Sequence, residues 1–298
     1  ELIIDMASKL PKRGVITLAD GLVNYLFHHS PTTSTSTAST PAPLVLIGGT
    51  AQTINSLVGH HTQLNKNGLL HYELRGQGRT TTLPLDDCSL SQHVKDFDNV
   101  ISSHPDFTNE EGKVDLCGFS FGGRVALAIA AARPEKVRKM VVTGVPADRG
   151  ATGRIILKNW LDALSRQDLE GFIWQSMSDG HSPKFLARHE SKLEAWVKAA
   201  AAGNRADAIA GLVGQTHTDD PLDPWHTVNL AKSAAGTLAC DDGLFLVGDE
   251  DRLAPVSSCQ ALAKVGEWEC QIIKNAGHSV PIEQPKLWRN AVKAHLDH

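Results

Sequence analysis

Short apolar runs recur along the chain at residues 44–47, 69–74, 114–117, 139–143, 244–247 and 269–273, with longer stretches of helical spacing between them. Runs of this length predict strands buried on both faces, as in a parallel sheet. Two earlier segments, 14–18 and 22–28, are joined through Asp20-Gly21, a turn dipeptide, and predict an opening antiparallel pair. Eight strands alternating with helices define an α/β fold with a mostly parallel eight-stranded sheet flanked by helices. From about residue 151 to 237 the alternation stops and helical periodicity takes over, through Ile155, Trp160 and Leu164, then Leu169, Phe172 and Met177, then Leu193, Trp196 and Val197. The expected organisation is a sheet-bearing core from 1–150 and 238–298, interrupted by a helical unit at 151–237. The run from Ser30 to Pro41, rich in Ser and Thr and without apolar anchors, reads as a solvated surface loop.

Chemistry enters at Gly118-Phe119-Ser120-Phe121-Gly122, which follows the run at 114–117 and precedes an Ala-rich stretch. The context is a strand, a sharp turn and a helix with a serine at the apex. Flanking glycines suit a turn that strains the serine backbone and exposes its hydroxyl. The Phe121 amide would then stand at a helix N-terminus, aimed at any oxygen that becomes negative when Ser120 attacks a carbonyl. A base and an acid are expected downstream in the order Ser, Asp/Glu, His. Asp249, Asp251 and Pro255 follow the run at 244–247, and Gly277-His278 follows the run at 269–273. Both groups would lie past the carboxyl ends of strands, where open parallel sheets gather their chemistry.

These motifs resemble those of the α/β-hydrolase fold superfamily nearly end to end. Residues 118–123 resemble its nucleophile elbow, Gly248-x-x-Asp251 with Pro255 its acid loop, and Gly277-His278 with Glu283-x-Pro285 its histidine loop. Residues 44–50 resemble the strand and loop that supply a second oxyanion donor, and Glu73-x-Arg75-Gly76-x-Gly78 resembles a further turn motif. Two positions depart: Gly48-Gly49 stands for the usual His-Gly, and Glu73 for the usual Asp. The resemblance implies Ser120, Asp251 and His278 as catalytic residues, with the amides of Phe121 and Thr50 as the oxyanion hole. It places the 151–237 unit as a lid after the sixth strand. Asp148, after the sixth strand, and Asp249 are alternatives for the acid, and the spacing from Gly248 to Pro255 favours Asp251. Gly49, Arg124, Trp160 and Trp174 are candidate substrate contacts. Four of the six tryptophans lie in the helical unit and suggest an apolar roof.

The expected reaction is hydrolysis of a carboxylic ester or thioester of a small, partly apolar molecule through an acyl-enzyme on Ser120, with no metal and no organic cofactor. Arg124 opens a second reading: the elbow also resembles that of the menaquinone-pathway lyase SHCHC synthase, whose arginine engages a substrate carboxylate. An arginine there equally suits the exposed face of a helix, and the latter reading is preferred. Carbon–carbon bond hydrolysis uses the same triad, and a hydrolase-fold receptor with slow turnover is the non-enzyme alternative.

Composition narrows the partners. The chain has 298 residues, 41% hydrophobic and 21% charged, with a net charge of −4 and no Lys/Arg cluster, which argues against nucleic-acid binding. No apolar stretch approaches the roughly 20 residues that span a bilayer. Five cysteines without a C-x-x-C pair suggest a reducing compartment, cytoplasmic or organellar. The first residue is Glu1, compatible with a removed targeting segment. The His-His pairs at 28–29 and 60–61 match no metal-ligand spacing and read as strand-end and helix-face residues. Nothing in the residues specifies an oligomeric state.

Overall fold

The computed structural model describes residues 11–29, 41–82 and 87–297, so the Ser/Thr-rich stretch at 30–40 lies outside the described residues. Strands β1 (Lys12–Leu18) and β2 (Gly21–His28) form the expected antiparallel pair, in register from Lys12↔Phe27 to Leu18↔Gly21. The two turn residues are therefore Ala19 and Asp20, and Gly21 opens β2. Six parallel strands follow: β3 (Leu44–Ile47), β4 (Leu69–Tyr72), β6 (Val114–Phe119), β7 (Val137–Thr143), β8 (Gly243–Gly248) and β9 (Glu269–Ile273). A two-residue strand, β5 (Thr81–Thr82), pairs with Gly21 and Leu22 of β2. It is too short for any periodicity to announce it.

The sheet order is β1-β2-β4-β3-β6-β7-β8-β9. The chain leaves β3 outward to β4 and returns to the other side of β3 as β6, which creates a switch point between the β3 and β6 ends. Alternation within the strands divides their side chains between two cores. Val45, Ile47, Leu116 and Val142 face one side, while Leu44, Leu46, Cys117 and Val141 face the other. The first face is covered by α2 (Leu90–Ser102) and α3 (Phe121–Ala132), the second by α1 (Ile54–Leu64) and α11 (Pro285–Leu296). Strand β9 differs from the fully buried strand expected from its sequence: as the sheet's last strand it leaves Glu269 and Ile272 exposed.

Five helices separate β7 from β8: α4 (Gly150–Ser165), α5 (Leu169–Gly180), α6 (Pro183–Ala202), α7 (Ala206–Gly214) and α8 (Thr227–Ala235). Local chemistry starts them: Asp168 accepts the Gly171 amide at 2.8 Å before α5, and Ser182 accepts the Phe185 amide at 3.3 Å before α6, with Pro183 at the first helical position. Helix α4 packs on α5 and α7, whereas α8 packs on α3 and on α9 (Val256–Val265), against the sheet layer. The four-residue α10 (Val280–Glu283) completes the set. No helix among the described residues is long and apolar enough to cross a membrane.

Two buried polar assemblies brace this frame. Arg75, just past β4, forms a two-pronged pair with Asp96 of α2 (2.6 and 2.7 Å) and reaches Asp20 at 2.6 Å. Glu73 accepts the amides of Ile54 (3.0 Å) and Arg79 (2.7 Å) and the Asn24 side chain (2.9 Å), so the longer acid ties the start of α1 to the turn after β4. On the other face, His28, His61 and His71 form a chain, with Nε2 to Nδ1 separations of 3.3 and 2.9 Å. The histidine pairs are thus a strand end and a helix face, as expected, but His28 and His61 join them directly and His71 extends the chain. Burial pushes His61 down to about 3 and His60 to about 4, and holds His71 well below the ordinary 6.5.

Both assemblies give measurable consequences. Arg75→Ala strands the buried Asp96 carboxylate and should cost about 3–5 kcal/mol in urea denaturation. For the histidines, folded values below the unfolded 6.5 mean that their stabilising effect is complete above pH 6.5 and is lost as pH falls toward 4. Melting temperature should therefore drop steeply between pH 6.5 and 4.5, and His61→Gln should flatten that slope.

Candidate active site

The elbow lies at the switch point. Strand β6 ends at Phe119, helix α3 begins at Phe121, and Ser120 between them has φ 53° and ψ −120°. That conformation is rare for a residue with a side chain and persists only where packing enforces it. Packing here is backbone on backbone: a Cβ on Gly118 would run into the Gly122 and Gly123 main chain, and one on Gly122 into the carbonyls of Ile47 and Gly48. The Ser120 amide donates to the Thr143 carbonyl at 2.8 Å, and the Thr143 hydroxyl accepts the Trp288 indole N–H at 2.9 Å. The turn is thereby fixed from β3 on one side and β7 on the other.

Residues distant in the chain converge on the serine. His278 Nε2 is 2.8 Å from Ser120 Oγ, and His278 Nδ1 is 2.8 Å from Asp251 Oδ2. Asp251 Oδ1 accepts the amides of Leu253 (2.9 Å) and Ala254 (2.7 Å), so the turn after β8 clamps the carboxylate. An acceptor at Nδ1 assigns the ring proton to that nitrogen and leaves Nε2 to accept the serine hydroxyl. The imidazole is held between the Phe119 ring, 5.3 Å centroid to centroid, and Gly144, where a Cβ would stand 2.9 Å from Cε1. Gly144 has φ 69°, so both space and backbone exclude a side chain there.

Of the three candidate acids, only Asp251 reaches the histidine. Asp249 accepts the Ala276 amide at 3.3 Å and caps the neighbouring loop. Asp148 is exposed, pairs with Arg154 at 2.6 Å and lies against Ser258. Gly49 packs on the serine, where a Cβ would stand 3.2 Å from that of Ser120, and its amide donates to Gln52 Oε1 at 2.9 Å. Thr50 follows it, and Phe121, as the first residue of α3, has an amide with no intrahelical acceptor.

The remaining candidates lie elsewhere. Arg124 is not on an exposed helix face as its sequence suggested: it is 4% exposed, and its Nη1 and Nη2 donate to the carbonyls of Gln215 (2.6 Å) and Trp225 (2.8 Å). Burial and the neighbouring Arg149 push its guanidinium down to about 10. Trp160 is buried within the helical segment, edge-on to Phe172 and bonded to Asp179 at 3.0 Å, whereas Trp174 is exposed.

Three further groups at this centre were given no role by the sequence, and two of them belong to no motif. Arg149 donates to the Leu253 carbonyl at 3.0 Å, on the turn that holds Asp251. His181 bonds the Met177 carbonyl through Nδ1 at 3.1 Å, and its value is pushed down to about 4 by burial, with His278 adding to the effect. Glu283 was noted only as part of the histidine-loop motif; its carboxylate accepts the amides of Gly277 and Ser182, each at 2.9 Å, joining the histidine loop to the start of α6.

Comparison with known proteins follows the same lines. The profile described as "Alpha/beta hydrolase family" matches residues 44–291. Proline iminopeptidase PfmaB of Pestalotiopsis fici is 25% identical over 244 residues, 77% of this chain and 81% of its own. Among solved structures, MGS-M2, an alpha/beta hydrolase enzyme from a Medee basin deep-sea metagenome library, superposes with a TM-score of 0.79 at 19% identity, covering 96% of this chain and 98% of that one. The enol-lactonase from Burkholderia xenovorans LB400 gives a TM-score of 0.75 at 14% identity, with 96% and 100% covered. With the profile spanning β3 to α11, the chain belongs to the alpha/beta hydrolase family.

Proposed function

We propose that this protein is a serine hydrolase that cleaves a carboxylic ester or thioester of a small, partly apolar substrate through an acyl-enzyme. The observation that carries the reading is the continuous chain from Ser120 Oγ through His278 to Asp251, with both links at 2.8 Å. Ser120 attacks the acyl carbon while His278 takes its proton, and Asp251 keeps the ring in the required tautomer and offsets the charge that develops on it. The amides of Phe121 and Thr50 receive the oxyanion; Gly49 is excluded because Gln52 already holds its amide. His278 then returns its proton to the departing alcohol or thiol and activates the water that releases the acid.

Helices α4 to α7 act as the roof of this site, within the proposed unit at 151–237. Helix α8 is its anchor, since it packs with the sheet layer. The tryptophan role is narrower than a shared apolar ceiling, because Trp160 belongs to the roof's interior. Engagement of Arg124 by two carbonyls removes the support for carboxylate recognition on which the lyase reading rests.

A second reading, release of an N-terminal residue from a peptide, is favoured by the match to PfmaB, a protein named as a proline iminopeptidase. The same Ser, His and Asp serve amide cleavage. Against it, the buried carboxylates Asp251 and Glu283 are already occupied by His278 and backbone amides, which leaves neither to receive a substrate ammonium.

A fluorophosphonate probe should label the wild type and not Ser120→Ala. p-Nitrophenyl butyrate should turn over repeatedly and prolyl p-nitroanilide should not; the reverse preference selects the peptidase reading, and absence of both labelling and turnover defeats the serine mechanism. Asp251→Asn should lower kcat by about 10⁴-fold while the protein still folds, measured by stopped assay with circular dichroism as control.

A further inference from the structure

Arg149 is a buried cation beside the proposed catalytic groups. It is 5% exposed and stands at the seam where β7 gives way to α4. Its Nη1 donates to the Leu253 carbonyl at 3.0 Å, its Nη2 approaches the Thr216 carbonyl at 3.4 Å, and its Nε finds no acceptor. Among the described residues it enters no ion pair, whereas Arg75, also buried, grips Asp96; Arg124 is the other buried arginine held by carbonyls. A guanidinium is costly to bury on carbonyls alone.

The peptide it grips explains the placement. The Leu253 amide donates to Asp251 Oδ1 while the Leu253 carbonyl accepts from Arg149, so one residue links cation and carboxylate back to back. The Asp251 side chain is wholly buried, where charges interact more strongly than in water. Other groups facing this region do not replace Asp251. Arg124 is a like charge, His217 is paired with Asp219, the Cys259 thiol is held neutral by burial, and Glu283 bonds backbone amides. His181 lies on the His278 side and is kept neutral by burial. Burial lowers Arg149 itself, and Asp251 is the foremost charge acting in the opposite direction.

We propose that Arg149 is a positioning residue for the Ser–His–Asp chain: it fastens the Asp251 turn to the helical roof and draws on the Asp251 carboxylate. His278 is then paired with a carboxylate whose turn Arg149 holds through the Leu253 peptide. The inference rests on the reading of His278 as the general base. The positive charge opposes the imidazolium whichever group supplies its proton, and the Asp251–His278 bond offsets that cost when Ser120 gives up its proton.

The test is an NMR titration of the His278 ring, together with the acidic limb of kcat/KM for a p-nitrophenyl ester, in wild type, Arg149→Gln and Arg149→Lys. Arg149→Gln should move both the titration and the limb upward by about half a pH unit or more, and Arg149→Lys, which keeps the charge, should leave both near the wild type. Equal loss of activity at every pH, with titration and limb unmoved in Arg149→Gln, overturns the proposal and leaves Arg149 a clamp only. If Arg149→Gln does not fold, Asp251→Asn provides the readout, because it keeps shape and acceptor while stranding the cation. It should melt several degrees below wild type at pH 8, and unchanged melting overturns the proposal. The ring titration needs no substrate, so failure here is distinct from failure of the hydrolase reading, which shows as absent labelling and turnover.

Discussion

The contact on which the rest depends is between main chains. Helix α3 begins so close to β3 that Gly122 meets the carbonyls of Ile47 and Gly48, and Gly118 meets the Gly122–Gly123 peptide. Only this approach lets β6 turn directly into α3 with Ser120 at φ 53°. Once the strain is fixed, the serine hydroxyl stands above the sheet at the height of the β8 and β9 ends. Asp251 and His278 need only short loops to reach it. A side chain at Gly122 would push the elbow away from the β3 loop, and one at Gly118 would force the end of β6 and the start of α3 apart.

Neighbouring elements reinforce that contact instead of duplicating it. Thr143 accepts the Ser120 amide through its carbonyl and the Trp288 indole through its hydroxyl, so α11, on the far face, helps to seat the elbow. Glu73 holds the Ile54 amide, which fixes the end of the loop that starts at Gly48. Buried acceptors tie each of these loops: Glu73 holds the Ile54 amide, Asp251 those of Leu253 and Ala254, and Glu283 that of Gly277.

Much of this was legible in the sequence because the features are local. The sequence pattern gave eight of the nine strands among the described residues to within two residues at each boundary, and β5 escaped only because two residues carry no period. Ser120, Asp251 and His278 were legible because each sits next to glycines that the turn geometry demands. Arg124 was misread because a helix N-terminal arginine normally faces water; nothing in its neighbourhood signals that residues 215–225 fold over it. Arg149 and His181 were missed for the same physical reason: their partners are carbonyls and rings brought by long-range packing, and a carbonyl has no sequence signature. Strand β9 reads as apolar yet is an edge, since strand order is set by crossovers and not by composition.

Glu283 carries a consequence of its own. One carboxylate receives the amide preceding His278 and the amide that opens α6, and Ser279 bonds back to the Gly180 carbonyl at 2.8 Å. Movement of the 180–182 turn is therefore transmitted to the imidazole through two short rigid links. The start of α6 and the loop that bears the imidazole are one joined unit, so a substitution that shifts either is felt by the other.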